Sequence, residues 1–300
     1  MGNKVVDIRK RDFKKESETL FSYYPGSNIL MYEIPMRPID NCNYTFPRKS
    51  IINFLRKNSG LCSIVSEDSL NGNAGSAAMI DYINSEELHG SLDGIFMGGS
   101  VGAVRSRIRL MEDVSVQLAK DIIKQKGKVK IYEGGCGFIR IPLKIFKSLE
   151  EDLGDVEMSY FGVDKNAEVV KTASEIALFE ELSDEIKVYK GDALEELYSL
   201  GDFDLGILEG SMEYWNDKYR RDFFEEICEH LTDDGYFITT ATHNVPKKKI
   251  AKFLGLYFPP MSEEDFINMY VSTGFDEPEL IKTNPPNISI GIGRYNSKPS

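Results

Sequence analysis

Between about residue 128 and residue 241 the chain alternates apolar, β-branched runs with stretches of helical spacing. The runs are "KVKIYE", "MSYFGVD", "EIKVYKGDA", "FDLGILEG" and "GYFITTA". Between them, "IPLKIFKSLEEDL" repeats Ile141, Ile145, Leu149 and Leu153 at intervals of four, and "AEVVKTASEIALFEEL" puts Val169, Ala173, Ile176 and Ala177 on one face. "DKYRRDFFEEICEHL" is a helix between the last two strands. Strands joined by helices of this length need right-handed crossovers, hence a parallel sheet covered on both faces. Such sheets bind ligands at the carboxyl ends of their strands.

Toward the end of the chain the pattern changes. "EPELIKT" and "ISIGIGRY" are separated only by "NPPN", too short for a crossover helix, so the two strands must run antiparallel. The expected fold class is α/β: a doubly wound, mostly parallel seven-stranded sheet ending in an antiparallel hairpin. A long amphipathic helix, "AVRSRIRLMEDVSVQLAKDIIKQ", leads into the first strand, and "RKSIINFLRKN" and "AAMIDYINSEEL" are short helices further upstream. We therefore divide the chain into a mainly helical cap or lid, residues 1–97, and a sheet domain, residues 98–300.

Four acids mark four strand ends in order. Glu133 and its glycines follow strand one, Asp164 ends strand two, Asp192 follows strand three and Glu209 ends strand four. One such acid is most often a helix cap. Four at one edge suit a ligand. Gly135 and Gly137 let a loop pass close beneath it, and Asp164 can accept two hydrogen bonds from vicinal ribose hydroxyls. The GDA turn offers the Asp192 carboxylate to an adenine amine and the Ala193 N–H to a ring nitrogen. Together these describe an adenosine site. A carboxylate at Glu133 would repel a pyrophosphate but suits an ammonium or sulfonium group.

The ordered runs "YEGGCGF", "FGVD", "KGDA", "FDLGILEG" and "LTDDGYFITT" resemble the motifs of the class I S-adenosylmethionine-dependent methyltransferases, over about residues 100 to 295. The resemblance implies S-adenosylmethionine as cofactor. It makes Glu133, Gly135 and Gly137 the acid and glycines of the first motif, Asp164 the ribose-binding acid and Asp192 the adenine-binding acid. Gly134, Lys165, Ala193 and Glu209 complete the expected cofactor-binding set. One departure is that Ile139 replaces the third glycine of the first motif.

The expected reaction is direct in-line transfer of a methyl group to an oxygen or nitrogen, with Glu209 positioning the acceptor and His243 taking a proton. Three alternatives stay open: a non-catalytic S-adenosylmethionine-binding protein, a transferase of the aminocarboxypropyl or aminopropyl arm, and an NAD-dependent oxidoreductase. The last expects GxGxxG, yet counting from Gly135 puts Arg140 at the final position. No metal is expected, for no Asp/Asn cluster is placed to bind magnesium. "NPPN" and "GIGR" are read as a turn with Asn284 and as strand glycines, His89 as a surface residue, and His230 as a cation favoured by a helix end.

The formal net charge of −12 argues against bulk binding of nucleic acid. It is uneven: residues 1–60 carry +5 and the remainder −17. A small-molecule substrate is expected, with aromatic residues of "SYYPGS" and "LYFPP" available to line a pocket; protein substrates and homo-oligomerisation stay open. No apolar run is long enough to span a bilayer, and the charged start lacks a secretory core. Cys42, Cys62, Cys136 and Cys228 show no CxxC pairing. A reduced, cytoplasmic setting without membrane contact is expected.

Overall fold

The computed structural model describes residues 100–243, 260–284 and 286–296, all within one compact unit. The helices expected upstream, His89, Cys42, Cys62, "SYYPGS" and most of "LYFPP" lie outside these residues. Helix α1 (Ser100–Lys126) enters strand β1 (Lys128–Gly134). Then follow α2 (Arg140–Leu153), β2 (Glu157–Asp164), α3 (Ala167–Phe179), β3 (Ile186–Lys190), α4 (Ala193–Leu197) and β4 (Phe203–Leu208). A 3-10 turn (Met212–Tyr214), α5 (Asp217–His230), β5 (Leu231–Thr242), α6 (Glu263–Thr273), β6 (Glu279–Lys282) and β7 (Ile288–Arg294) complete the order.

The seven strands lie in the order β3-β2-β1-β4-β5-β7-β6. The first five are parallel, and β7 runs antiparallel between β5 and β6. The expected hairpin is therefore present, with its second strand inserted next to β5. Strand order reverses between β1 and β4, which opens a crevice at their carboxyl ends.

Alternation along the strands builds two cores. Tyr132, Phe203, Phe237 and Ala241 pack with Leu197 of α4, Phe223, Phe224 and Ile227 of α5, and Phe266 and Tyr270 of α6. Their strand neighbours Ile131, Ile207 and Ile238 are equally buried toward the other face, where α1 packs on α2. Asp204 pins the opposite, amino edge: it accepts from Lys126 Nζ at 2.7 Å, from Lys130 N at 2.9 Å and from Thr232 Oγ1 at 2.7 Å. Among the described residues no helix is long and apolar enough to cross a membrane.

Strand β5 begins at Leu231, four residues ahead of the expected "GYFITTA", and two helices also differ from the expectation. Helix α3 stops at Phe179, three residues early, because Glu181 turns left-handed (φ 60°) and Leu182 N–H reaches back to Ala177 O at 2.8 Å. That is a Schellman stop. Helix α6 was not anticipated at all. It opens on an N-cap: Asp265 N–H donates to Ser262 Oγ, and Ser262 Oγ–H donates to Asp265 Oδ2.

The glycines of β7 are spatial requirements. A Cβ on Gly293 would stand 2.6 Å from Tyr270 Cε1 and 3.1 Å from Phe275 Cδ1, both buried rings. Gly293→Ala should lower the unfolding free energy by about 1–3 kcal/mol through overpacking, read from urea denaturation. An unchanged midpoint would mean that α6 does not pack on β7 as described.

Candidate active site

The loop after β1 is tied to the end of β2. Gly135 N–H and Cys136 N–H both donate to Val163 O, at 2.8 and 3.0 Å, and Gly137 N–H donates to Asp164 Oδ2 at 3.3 Å. Gly135 (φ 69°) and Gly137 (φ 53°) take the left-handed conformation that glycine tolerates best. A Cβ at Gly135 would strike Ser211 Oγ, so the loops after β1 and β4 meet there. Ile139 (φ 52°), standing in place of the motif's third glycine, adopts the same left-handed backbone while fully buried. For a β-branched residue this is strained by about 1–2 kcal/mol.

Glu133 lies inside the sheet, 3% exposed, paired in register with Gly162. A Cβ at Gly162 would collide with the Tyr160 ring and hydroxyl; without one, Tyr160 O–H reaches Glu133 Oε2 at 2.6 Å. Burial pushes the Glu133 carboxyl up to about 8, with the Tyr160 bond opposing, the Glu209 charge reinforcing and Arg140 opposing. Burial likewise raises Asp164, against the hydrogen bonds from Asn166 N–H and Gly137 N–H.

Asp192 both caps α4, accepting from Leu194 N–H at 3.0 Å, and sits at the predicted ligand edge. Lys165 Nζ lies 2.8 Å from its Oδ2, and Tyr219 O–H of α5 donates to its Oδ1. Burial alone would raise this carboxyl, but Lys165, Tyr219 and the cap bond outweigh it and hold it below its ordinary range. Ala193 opens α4, so its N–H has no intrahelical partner. Its carbonyl accepts from Tyr132 O–H.

Glu209 is held by arginines. Arg107 Nε of α1 is 3.3 Å from Oε1 and Arg140 Nη2 of α2 is 4.0 Å from Oε2. Arg140 Nη1 in turn lies 3.9 Å from Glu112 Oε1. Glu133, Asp164 and Glu209 thus form one electrostatic cluster with Arg140. His243 stands apart. Its ring packs on Phe266, on the same face as Ala241, whereas Glu209 faces α1. Its Nδ1–H donates to Met261 O at 2.9 Å, and among the described residues its buried Nε2 has no hydrogen-bond partner. Both residues still flank neighbouring strand ends, those of β4 and β5.

Sequence reasoning missed Arg107, Tyr160, Ser211 and Tyr219. The Tyr160-x-Gly162 spacing beside Glu133 was a readable hint; the others arrive by tertiary packing. His230 pairs with Glu226 at 3.0 Å, Cys136 and Cys228 are buried free thiols, and among the described residues no group of three His, Cys, Asp or Glu side chains is placed to hold a metal.

The raised Glu133 carboxyl has a sign. The unfolded chain releases this proton near the ordinary 4.5 and the folded chain only near 8, so the folded state binds the extra proton between those limits. Stability from this group falls as pH rises through that window, by up to about 1.4 kcal/mol per pH unit. Glu133→Gln should remove that slope, so thermal midpoints of variant and wild type diverge between pH 5 and pH 8.5. Parallel curves would mean that Glu133 ionises in the folded protein as it does in water.

No protein-family model and no curated protein matches the sequence. Solved structures do resemble it. A possible exported protein from Bordetella parapertussis superposes with a TM-score of 0.61 at 14% identity, covering 87% of this chain and 100% of its own. An O-methyltransferase family protein from Burkholderia thailandensis gives 0.51 at 10% identity, over 70% of this chain and 60% of its own. The [4+2]-cyclase SpnF gives 0.50 at 13% identity, over 67% and 85%. With the β3-β2-β1-β4-β5-β7-β6 sheet, these likenesses establish that the chain has the fold of the class I S-adenosylmethionine-dependent methyltransferases.

Proposed function

We propose that the protein is an S-adenosylmethionine-dependent methyltransferase acting on a small molecule. One observation carries the reading: a buried carboxylate, Glu133, sits at the root of a left-handed glycine loop, with Asp164 and Asp192 on the next two strand ends. The residues fit the cofactor. Asp164 suits the ribose hydroxyls, and Asp192 with the Ala193 N–H suits the adenine. Lys165, whose side chain is 68% exposed, can swing off Asp192 at little expense. Glu133 would be drawn into its ionised form by a cationic ligand, and that form disfavours a pyrophosphate. When bound, the cofactor supplies an already activated methyl group, so the protein's own task is alignment and proton handling.

In this reading Glu209, fixed by Arg107 and Arg140, positions the reactants, and His243 Nε2 receives the acceptor's proton. The net charge of −12 supports a small acceptor over nucleic acid. A second reading has an observation of its own. SpnF is a cyclase, so this fold also serves other chemistry, and binding without methyl transfer is the rival. Incubation with methyl-labelled cofactor and cell extract separates the two: labelled product with S-adenosylhomocysteine supports methyl transfer, methylthioadenosine indicates transfer of the other arm, and no turnover supports the rival.

Calorimetry should find S-adenosylmethionine and S-adenosylhomocysteine bound more tightly than NAD(H), and Asp164→Ala should weaken them at least tenfold, having removed hydrogen bonds worth about 1.5–3 kcal/mol each. Tighter NAD(H) binding would overturn the cofactor reading. With an acceptor identified, His243→Ala should lower turnover by about 10²–10⁴ with cofactor affinity unchanged. A variant within threefold of wild type from pH 6 to 9 would remove His243 from the mechanism.

A further inference from the structure

We propose that Glu213 is the acceptor-binding carboxylate and that the acceptor carries a basic nitrogen. The inference rests on the methyltransferase reading above. Glu213 lies in the 3-10 turn just beyond β4 and is 7% exposed. Thr242 Oγ1, on the last residue of β5, donates to its Oε1 at 3.1 Å, which fixes the carboxylate plane. Its Oε2 is shielded from water and, among the described residues, has no hydrogen-bond partner.

The other acids of this edge are already engaged. Tyr160 donates to Glu133, Arg107 and Arg140 hold Glu209, backbone N–H groups hold Asp164, and Lys165 with Tyr219 holds Asp192. Arg107, whose charge reaches the adjoining Tyr214, is bound to Glu209. Burial, and then the Glu213 charge, push the Tyr214 phenol up to about 12, with Arg107 opposing. Among the described residues this oxygen has neither a hydrogen-bond donor nor an ion-pair partner; a buried carboxylate oxygen left so is costly, and such a cost is retained where a ligand relieves it.

Position names the ligand. Ser211, two residues before Glu213, meets the glycine loop, and Thr242 is followed directly by His243. Glu213 therefore stands at the ends of β4 and β5, next to the turn that meets the cofactor loop, where an acceptor has to lie. A hydroxyl would satisfy the hydrogen bond but could not pair with the carboxylate as an ion. A protonated amine satisfies both, and the protein's net charge of −12 draws cations toward it.

The test uses the full chain saturated with S-adenosylhomocysteine and three probe pairs built on the same rings: tyramine and 4-hydroxyphenylacetate, tryptamine and indole-3-acetate, histamine and imidazole-4-acetate. Binding is read by saturation-transfer NMR and calorimetry. At least one amine should bind wild type with at least tenfold preference over its acid, and Glu213→Gln should weaken that amine at least tenfold. Affinity for S-adenosylhomocysteine should change less than threefold in the same variant. Glu213→Asp, the second variant should Glu213→Gln fail to fold, should keep the preference for amines with weaker binding. Acids binding as well as amines, an amine indifferent to both substitutions, or no amine binding at all would overturn the proposal. Loss of S-adenosylhomocysteine affinity in Glu213→Gln would move Glu213 to the cofactor site and overturn it too. Failure of wild type to bind S-adenosylhomocysteine would instead strike the methyltransferase reading.

Discussion

Carboxyl groups buried at the carboxyl edge of the sheet have to keep their protons or be compensated, and much of the local architecture follows from that demand. Glu133 sits within the sheet itself, and Glu209 one strand away adds a second carboxylate to the same low-dielectric region. Compensation comes from three elements: Tyr160 from β2, Arg107 from α1 and Arg140 from α2. The helices of one face are thereby fixed relative to the strand ends by charge as well as by their apolar stripes. Buried pairs of this kind add little net stability, but removing one partner is expensive. The arrangement is better understood as holding a geometry than as strengthening the fold.

The start of α2 shows the same priority. Ile139 is strained, and the following residue places a guanidinium in the first turn of a helix, where the peptide dipole disfavours a cation. No acid occupies that turn to offset it. Both features run against the local preferences of the chain. They become intelligible through what Arg140 reaches, Glu209 on one side and Glu112 on the other. Local cost at a ligand edge is a common pattern, because an anion-rich pocket cannot be assembled from locally preferred choices alone.

How much of this was legible in the sequence depends on the range of the interaction. The five parallel strands and the terminal hairpin were readable because burial on two faces, or on one, imposes a period on the chain. The acids were readable because they follow strand ends at regular intervals. Helix α6 was passed over, although Ser262 offers an N-cap ahead of Phe266 and Gly274 supplies the stop. The early end of α3 could not be read, for nothing in Glu181 announces a left-handed turn. The partners of the acids were invisible for another reason: Arg107 and Glu209 are 102 residues apart, and Tyr219 reaches Asp192 across 27. Glu213 was hidden because its meaning lies in a missing partner, which only three-dimensional packing reveals.

One arrangement beside Asp192 carries an optical consequence. The chain contains a single tryptophan, Trp215, with its ring 4.7 Å from Tyr219 and 4.9 Å from Phe223. Tyr219 is the residue whose hydroxyl rests on Asp192. Indole emission responds to the polarity and motion of its immediate neighbours. The intrinsic fluorescence of this protein is therefore a local signal from one carboxylate and its tyrosine, and occupancy of that corner is visible in the native chain without a label.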